Sequence, residues 1–402
     1  MTVYLDHAAT TPILPEAAAV MTAQLMRVGN ASSLHASGRD ARRVVEESRE
    51  QIAQALHCRP GEVVFTSGGT ESDNLAVKGL FWARRTEDPR RVRVLSTPVE
   101  HHAVLDPLHW LGVDEGAKVE LVAVDRLGRL DLDAFRAAVE SDPESVAVVS
   151  VMWANNEVGT VQPIREIVEI AHAHGIPVHT DAVQALGHLP LDFAASGVDA
   201  MTVTGHKIGG PYGVGALVVR RELQPTALLH GGGQERDIRS GTVDPPAVAG
   251  FAAACRIAVD RQQEQAERLA VLRDRLVAGV LREVPDAVSN GDPEPGPEHR
   301  LPAMAHLEFP GCEGDSLLML LDARGIECST GSACDAGVPQ ASHVLLAMGS
   351  SEDSARSSLR FSLGHTSTQA DVDALVEAIG PVVERARNAA LSGRAGRAGA
   401  AR

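Results

Sequence analysis

Hydrophobic positions along this chain switch between two periods. Short apolar runs, read as strands buried on both faces, occur at 62–66, 92–95, 119–124, 146–152, 178–180, 201–203 and 216–219. Between several of them the spacing turns helical. The stretches 16–26, 38–56, 132–139 and 164–174 read as helices, with Val44, Val45, Ile52, Ala53 and Leu56 forming one stripe of the second. Strands alternating with helices predict an α/β fold on a mostly parallel, seven-stranded sheet, with ligands held at the strand ends.

After Pro246 the pattern changes. Residues 247–284 form a long, interrupted helical stretch that joins two lobes, and 285–302 is a loop rich in Pro, Gly and Glu. Strands at 305–309 and 359–362 then mix with helices at 316–323 and 371–390, an α+β arrangement. The expected division is a large domain over 13–255 and a smaller one built from 1–12 and 256–390. The tail 391–402 repeats Gly, Arg and Ala with little to bury, and disorder is expected there.

Composition narrows the partners. The 402 residues are 44% hydrophobic and 22% charged, an ordinary globular balance. A net charge of −16 argues against nucleic acid as an obligatory ligand and leaves a basic protein as the fitting partner. No charged leader precedes an apolar run, and no stretch is apolar for long enough to span a membrane, so the expected location is cytoplasmic. Five scattered cysteines (58, 255, 312, 328 and 334) suit neither a disulfide framework nor a structural metal site, and no metal is expected.

The chemistry centres on Thr204-Gly205-His206-Lys207, which places an amine just past a short strand among small residues. Alone, this is either a surface lysine beside a turn or an amine placed to condense with an aldehyde. Upstream, Asp181 ends another apolar strand with Gln184 close behind. A strand-end carboxylate and a strand-end amine are what pyridoxal phosphate (PLP) requires, one for its ring nitrogen and one for its aldehyde. The run Phe65-Thr66-Ser67-Gly68-Gly69-Thr70-Glu71 is a strand, a Gly-rich turn and a helix start, a ready anion site for the phosphate. His101-His102 is open to two readings, a weak metal pair or a loop histidine bonded to backbone. Asn155-Asn156 is either an Asn-rich turn or a pair of ligand-facing amides. Arg360, inside an apolar strand, belongs either to a structural ion pair or to a carboxylate ligand.

Asp181-Ala-Val-Gln184, Thr204-Gly-His-Lys207 and Gly331-Ser-Ala-Cys334 stand in the order found in cysteine desulfurases of the NifS/IscS type, fold type I PLP enzymes. The resemblance runs from Tyr4-Leu5-Asp6-His7 to about Arg387. It implies the conversion of L-cysteine to L-alanine, with the sulfur held as a persulfide on Cys334 and passed to an iron–sulfur scaffold or a tRNA-thiolating protein. It assigns Lys207 to the cofactor aldehyde and the α-proton, Asp181 to the ring nitrogen and Gln184 to the phenolic oxygen. It stacks His101 over the ring with a proton-transfer role, turns Asn156 towards cofactor and substrate, and gives Arg360 the substrate carboxylate. Gly69, Thr70, Thr204 and His206 fall to the phosphate. Thr242, in Arg239-Ser-Gly-Thr242, falls to the phosphate of a second subunit, which implies a homodimer.

Among the cysteines, Cys58, Cys255 and Cys312 read as inert apolar residues. Cys328 follows a strand-like Gly-Ile-Glu, whereas Cys334 lies among small residues suited to an exposed loop. The span from Cys334 to Arg360 is long, as in the members of this family with a long cysteine loop. Gly69, Thr204 and Asp335 depart from the usual pattern, and a carboxylate next to Cys334 raises the pKa of its thiol. Two other readings stand beside this one. One is a selenocysteine lyase or other PLP-dependent lyase on the same fold, and the other is a PLP-binding assembly protein with little turnover.

Overall fold

The computed structural model describes residues 2–331 and 341–400, with 390–400 described as backbone alone. Cys334 and Asp335 therefore lie outside the described residues. In chain order the strands are β1 (Val3–Tyr4), β2 (Val63–Thr66), β3 (Arg93–Ser96), β4 (Lys118–Leu121), β5 (Val146–Ser150) and β6 (Val178–Asp181). They continue with β7 (Ala200–Thr204), β8 (Gly215–Val219), β9 (Val288–Asn290), β10 (Met304–Glu308), β11 (Ile326–Glu327) and β12 (Ser358–Ser362).

Seven strands form one sheet in the order β2-β8-β7-β6-β5-β3-β4. Only β8 pairs antiparallel with its neighbours; β7, β6, β5, β3 and β4 pair in parallel. Strands β2, β5, β6, β7 and β8 are buried along their whole length, which explains their continuous apolar runs. Because the parallel strands point one way, the segments after Thr66, Ser96, Ser150, Asp181 and Thr204 all emerge at one edge. The site is built there.

A second packing region gathers around the antiparallel sheet β12-β10-β9 and the parallel pair β1-β11, with its own cluster including Leu307, Phe309, Leu359 and Phe361. The helices Pro245–Asp260 and Gln262–Glu283 meet at Arg261, where the sequence predicts one interrupted stretch. An isolated bridge from Asp6 to Ser362 brings the start of the chain beside β12.

Three differences from the sequence reading have physical causes. Residues 391–400 of the segment read as a disordered tail continue the last helix, Gln369–Ala400, propagated from packed turns before them despite Gly393, Gly396 and Gly399. The supposed loop 285–302 contains β9, recruited by β10 rather than by its own propensity. A helix also forms over His102–Asp114 despite an internal Pro107. Proline removes the bond to the Ala103 carbonyl, and Asn74 Nδ2 donates to that oxygen instead at 3.5 Å. Buried Val104, Leu108 and Leu111 offset the remaining cost.

Candidate active site

A cavity of about 410 Å³ opens where the strand ends meet the second packing region. Lys207, Asp181, Gln184, His101, Asn156, Gly69, Thr70, Thr204, His206 and Arg360 all line it. The structure thus brings together residues separated by nearly 300 positions of chain, from Gly69 to Arg360.

Lys207 lies three residues past the end of β7, and its Nζ donates to the carbonyls of Ala8 and Ala9 at 2.5 and 2.7 Å. Burial lowers its pKa to about 8, helped by Arg360 and opposed by Asp6 and Asp181. Such an amine is partly neutral near physiological pH, as an attacking amine must be. Asp181 ends β6, and its Oδ1 accepts from the Val183 N–H at 2.8 Å. Burial raises its pKa to about 6, while that N–H and the Lys207 charge pull it down. Gln184 Nε2 donates to the Ala8 carbonyl at 2.9 Å, which ties the chain start to the same floor.

The helix Gly69–Glu87 starts at the cavity, and its preceding residue Gly68 has φ 148°, a backbone that only glycine adopts freely. A Cβ on Gly69 would come within 3.1 Å of Val183 Cγ2, so a small residue keeps this helix start close to the Asp181 turn. Free N–H groups at such a start suit an anion. Thr204 Oγ1 donates to the Val214 carbonyl at 3.2 Å. His206 stacks on Tyr212 with centroids 5.7 Å apart, and burial lowers its pKa to about 4.

His101 caps the His102–Asp114 helix by accepting from the Ala103 N–H at 3.1 Å, so the backbone-bonded reading describes its Nδ1. The ring faces the open cavity, accessible to solvent yet surrounded by protein, and desolvation with the nearby Lys207 charge lowers its pKa to about 4. Among the described residues no group of three His, Cys, Asp or Glu is arranged for a metal ion.

Arg360 makes the structural ion pair that is one of its two sequence readings. Nη2 donates to Asp6 Oδ1 at 2.8 Å and Nη1 to the Asn156 carbonyl at 2.9 Å. Its Nε and the Asn156 side-chain oxygen are buried with no partner among the described residues. Two orphaned polar atoms on one wall are what a ligand bearing both a carboxylate and a donor would satisfy. Lys207, Asp181, the glycine-backed helix start and these atoms together fit PLP with an amino acid.

Thr242 is exposed and does not line this cavity. Cys328 directly follows β11 and is buried, and burial pushes its thiol up to about 12. The sequence reading gave no role to Asp6, Asp73, Glu100, Glu157 or His343. Asp73, Glu157 and His343 line the cavity, and buried Glu100 accepts from the Met152 N–H at 3.0 Å beside it. Asp6 lies in the opening Tyr4-Leu5-Asp6-His7 motif, Glu100 directly precedes His101 and Glu157 directly follows Asn156, but none of these neighbours marked them for a role.

Residues 3–375 match the model of the aminotransferase class-V family. The chain is 59% identical over 389 residues to an IscS-like cysteine desulfurase of Mycobacterium tuberculosis, covering 97% of this chain and 98% of the relative. It superposes on a solved NifS-like protein with a TM-score of 0.87 and 34% identity, over 96% of this chain and all of that one. A structure titled SspA in complex with cysteine also matches, with a TM-score of 0.77, 32% identity, and coverage of 90% and 99%. The chain therefore belongs to the PLP-dependent aminotransferase class-V family, among homologues of the IscS/NifS cysteine desulfurases.

Proposed function

We propose that the protein is a cysteine desulfurase that releases L-alanine from L-cysteine and leaves the sulfur on Cys334. One observation carries the reading: Lys207, Asp181 and the half-satisfied Arg360 face a single cavity. PLP, when bound, supplies an electron sink for the substrate's α-carbon. Arg360 and Asn156 bind the amino acid, and Lys207, neutral for part of the time, moves the α-proton. His101 is placed to carry a second proton. The Cys334 thiolate forms an S–S bond as the substrate's C–S bond breaks, and alanine leaves after protonation. Gly69, Thr70, Thr204 and His206 hold the phosphate in this account, with Gln184 on the ring oxygen.

The same reading includes a homodimer in which Thr242 reaches the neighbouring phosphate site. Support comes from Leu25, Met26, Val28 and Leu34, which are 59%, 88%, 86% and 85% exposed within one segment, more apolar surface than water favours. A hydrophobic cluster of Leu5 with residues from Leu269 to Ala386, separate from the one on the large sheet, supports a small domain within 1–12 and 256–390. Among the described residues no helix is long and apolar enough to cross a membrane, which accords with a cytoplasmic enzyme handing sulfur to an iron–sulfur scaffold or a tRNA-thiolating protein.

The test is product analysis with purified protein and reductant. Equal amounts of sulfide and alanine from L-cysteine are expected, and Lys207→Ala should abolish both together with the bound cofactor's absorption band. Turnover of selenocysteine alone would favour the lyase reading instead.

A further inference from the structure

Beneath Asp181 lies a buried polar row that the reaction described so far does not use. His179 and Asp181 stand two apart on β6 and so share one face. Sheet register sets Ser150 beside His179 and Thr202 beside Asp181. His179 is fully buried, with Nδ1 2.9 Å from Ser150 Oγ and Nε2 3.0 Å from Thr202 Oγ1. A neutral imidazole has one donor and one acceptor, so one hydroxyl closes each side. Burial keeps it neutral, its pKa lowered to about 3.

Asp73 enters this row from the helix Gly69–Glu87. Its Oδ1 sits 3.7 Å from His179 Nε2 and has no hydrogen-bond partner among the described residues. Asp73 is 1% exposed and lines the same cavity as Asp181. Asp73 and Asp181 are both buried and line one cavity, and two such carboxyls do not readily ionise together. Asp181 has the Val183 N–H and the Lys207 charge to favour its anion. For Asp73, burial, Asp181 and Glu100 oppose ionisation, and only the Thr202 hydroxyl favours it, so its pKa stands well above the ordinary carboxylate range.

We propose that Asp73 is a positioning residue, a carboxylic acid kept neutral beside His179, which ensures that the single negative charge facing the cofactor's ring nitrogen resides on Asp181. The inference rests on the reading of Asp181 as the partner of that nitrogen. The titratable groups facing the two carboxyls are Glu100, Lys207 and His179, and the variants below leave all three in place.

The test is titration of PLP into the full-length apoprotein across pH, with circular dichroism to confirm folding. Asp73→Asn preserves a neutral polar group and should bind PLP within about twofold of wild type. Asp73→Leu keeps similar bulk but removes the polar group, so Asp181 loses local solvation. Its affinity should fall about tenfold, roughly 1.4 kcal/mol, and the acid limb of binding should move to higher pH. If Asp73→Leu fails to fold, Asp73→Val removes the same polar group with less bulk, and the same shift of the acid limb is expected. A loss in Asp73→Asn as large as that in Asp181→Asn would mean that Asp73 carries charge, and would overturn the proposal. An unchanged pH profile in Asp73→Leu or Asp73→Val would reduce the row to packing and overturn it as well. Full affinity in Asp181→Asn would instead overturn the reading of Asp181 itself.

Discussion

Arg360 donates to Asp6 at 2.8 Å, so a guanidinium near one end of the chain is held by a carboxylate near the other. The pair sits beside Lys207 and acts on it with opposite signs, Arg360 lowering the amine's pKa and Asp6 raising it. Asp6→Asn removes the raising influence. The midpoint for PLP uptake by the apoprotein should therefore move below the value of about 8 set in the wild type. Stopped-flow absorbance across pH checks this, and an unmoved or higher midpoint would contradict it.

Arg360→Lys should keep the cofactor but weaken the hold on the substrate's carboxylate. A rise in KM for L-cysteine of about 10- to 100-fold is expected, because an ammonium cannot reproduce a guanidinium's paired donors. Unchanged KM in steady-state assays would return Arg360 to a purely structural ion pair.

Asp181 makes a stability prediction of defined sign. Its pKa is raised from 3.8 to about 6 in the fold, so between those values the native apoprotein binds more protons than the unfolded chain. The group therefore costs stability progressively as pH rises through that window, by on the order of 3 kcal/mol when complete. Asp181→Asn should remove this cost. Urea denaturation of the two apoproteins should show the variant gaining on wild type from about pH 4 to 6 and holding a constant lead above.

Much of the site was legible because its residues follow strand ends, and strand ends announce themselves locally. Lys207 comes soon after an apolar run and Asp181 closes one, and a run of glycines precedes Thr70. Asp73, Glu100 and Glu157 were not legible. Each is a charged residue in a polar stretch, and only long-range packing buries it. Asp6 pairs with Arg360 across 354 positions, a register no local period encodes. The helix over His102–Asp114 was hidden by Pro107, whose cost is offset by Asn74 from another helix. The two-residue strands β1 and β11 are too short to carry a period and exist through each other.

The dimer reading has its own check. If Thr242 completes a neighbouring subunit's phosphate site, dilution to monomer should release PLP, and Thr242→Val should weaken PLP binding while leaving the dimer intact. Light scattering alongside cofactor absorbance separates the two effects. A stable monomer with full cofactor occupancy would contradict the arrangement.

Sulfur transfer runs through Cys334 in the proposed reaction, and the rival thiol in the same stretch is Cys328. Burial, with Asp6 adding to it, raises the Cys328 thiol to about 12, so little thiolate forms there. Cys328→Ser should stay active, while Cys334→Ser should keep PLP and release no sulfide. The most direct measurement is peptide mass spectrometry of the holoprotein after brief exposure to L-cysteine without reductant. Transfer through Cys334 predicts one added sulfur on its peptide, matched by one alanine released per site. An added sulfur on Cys328 with none on Cys334 would contradict it.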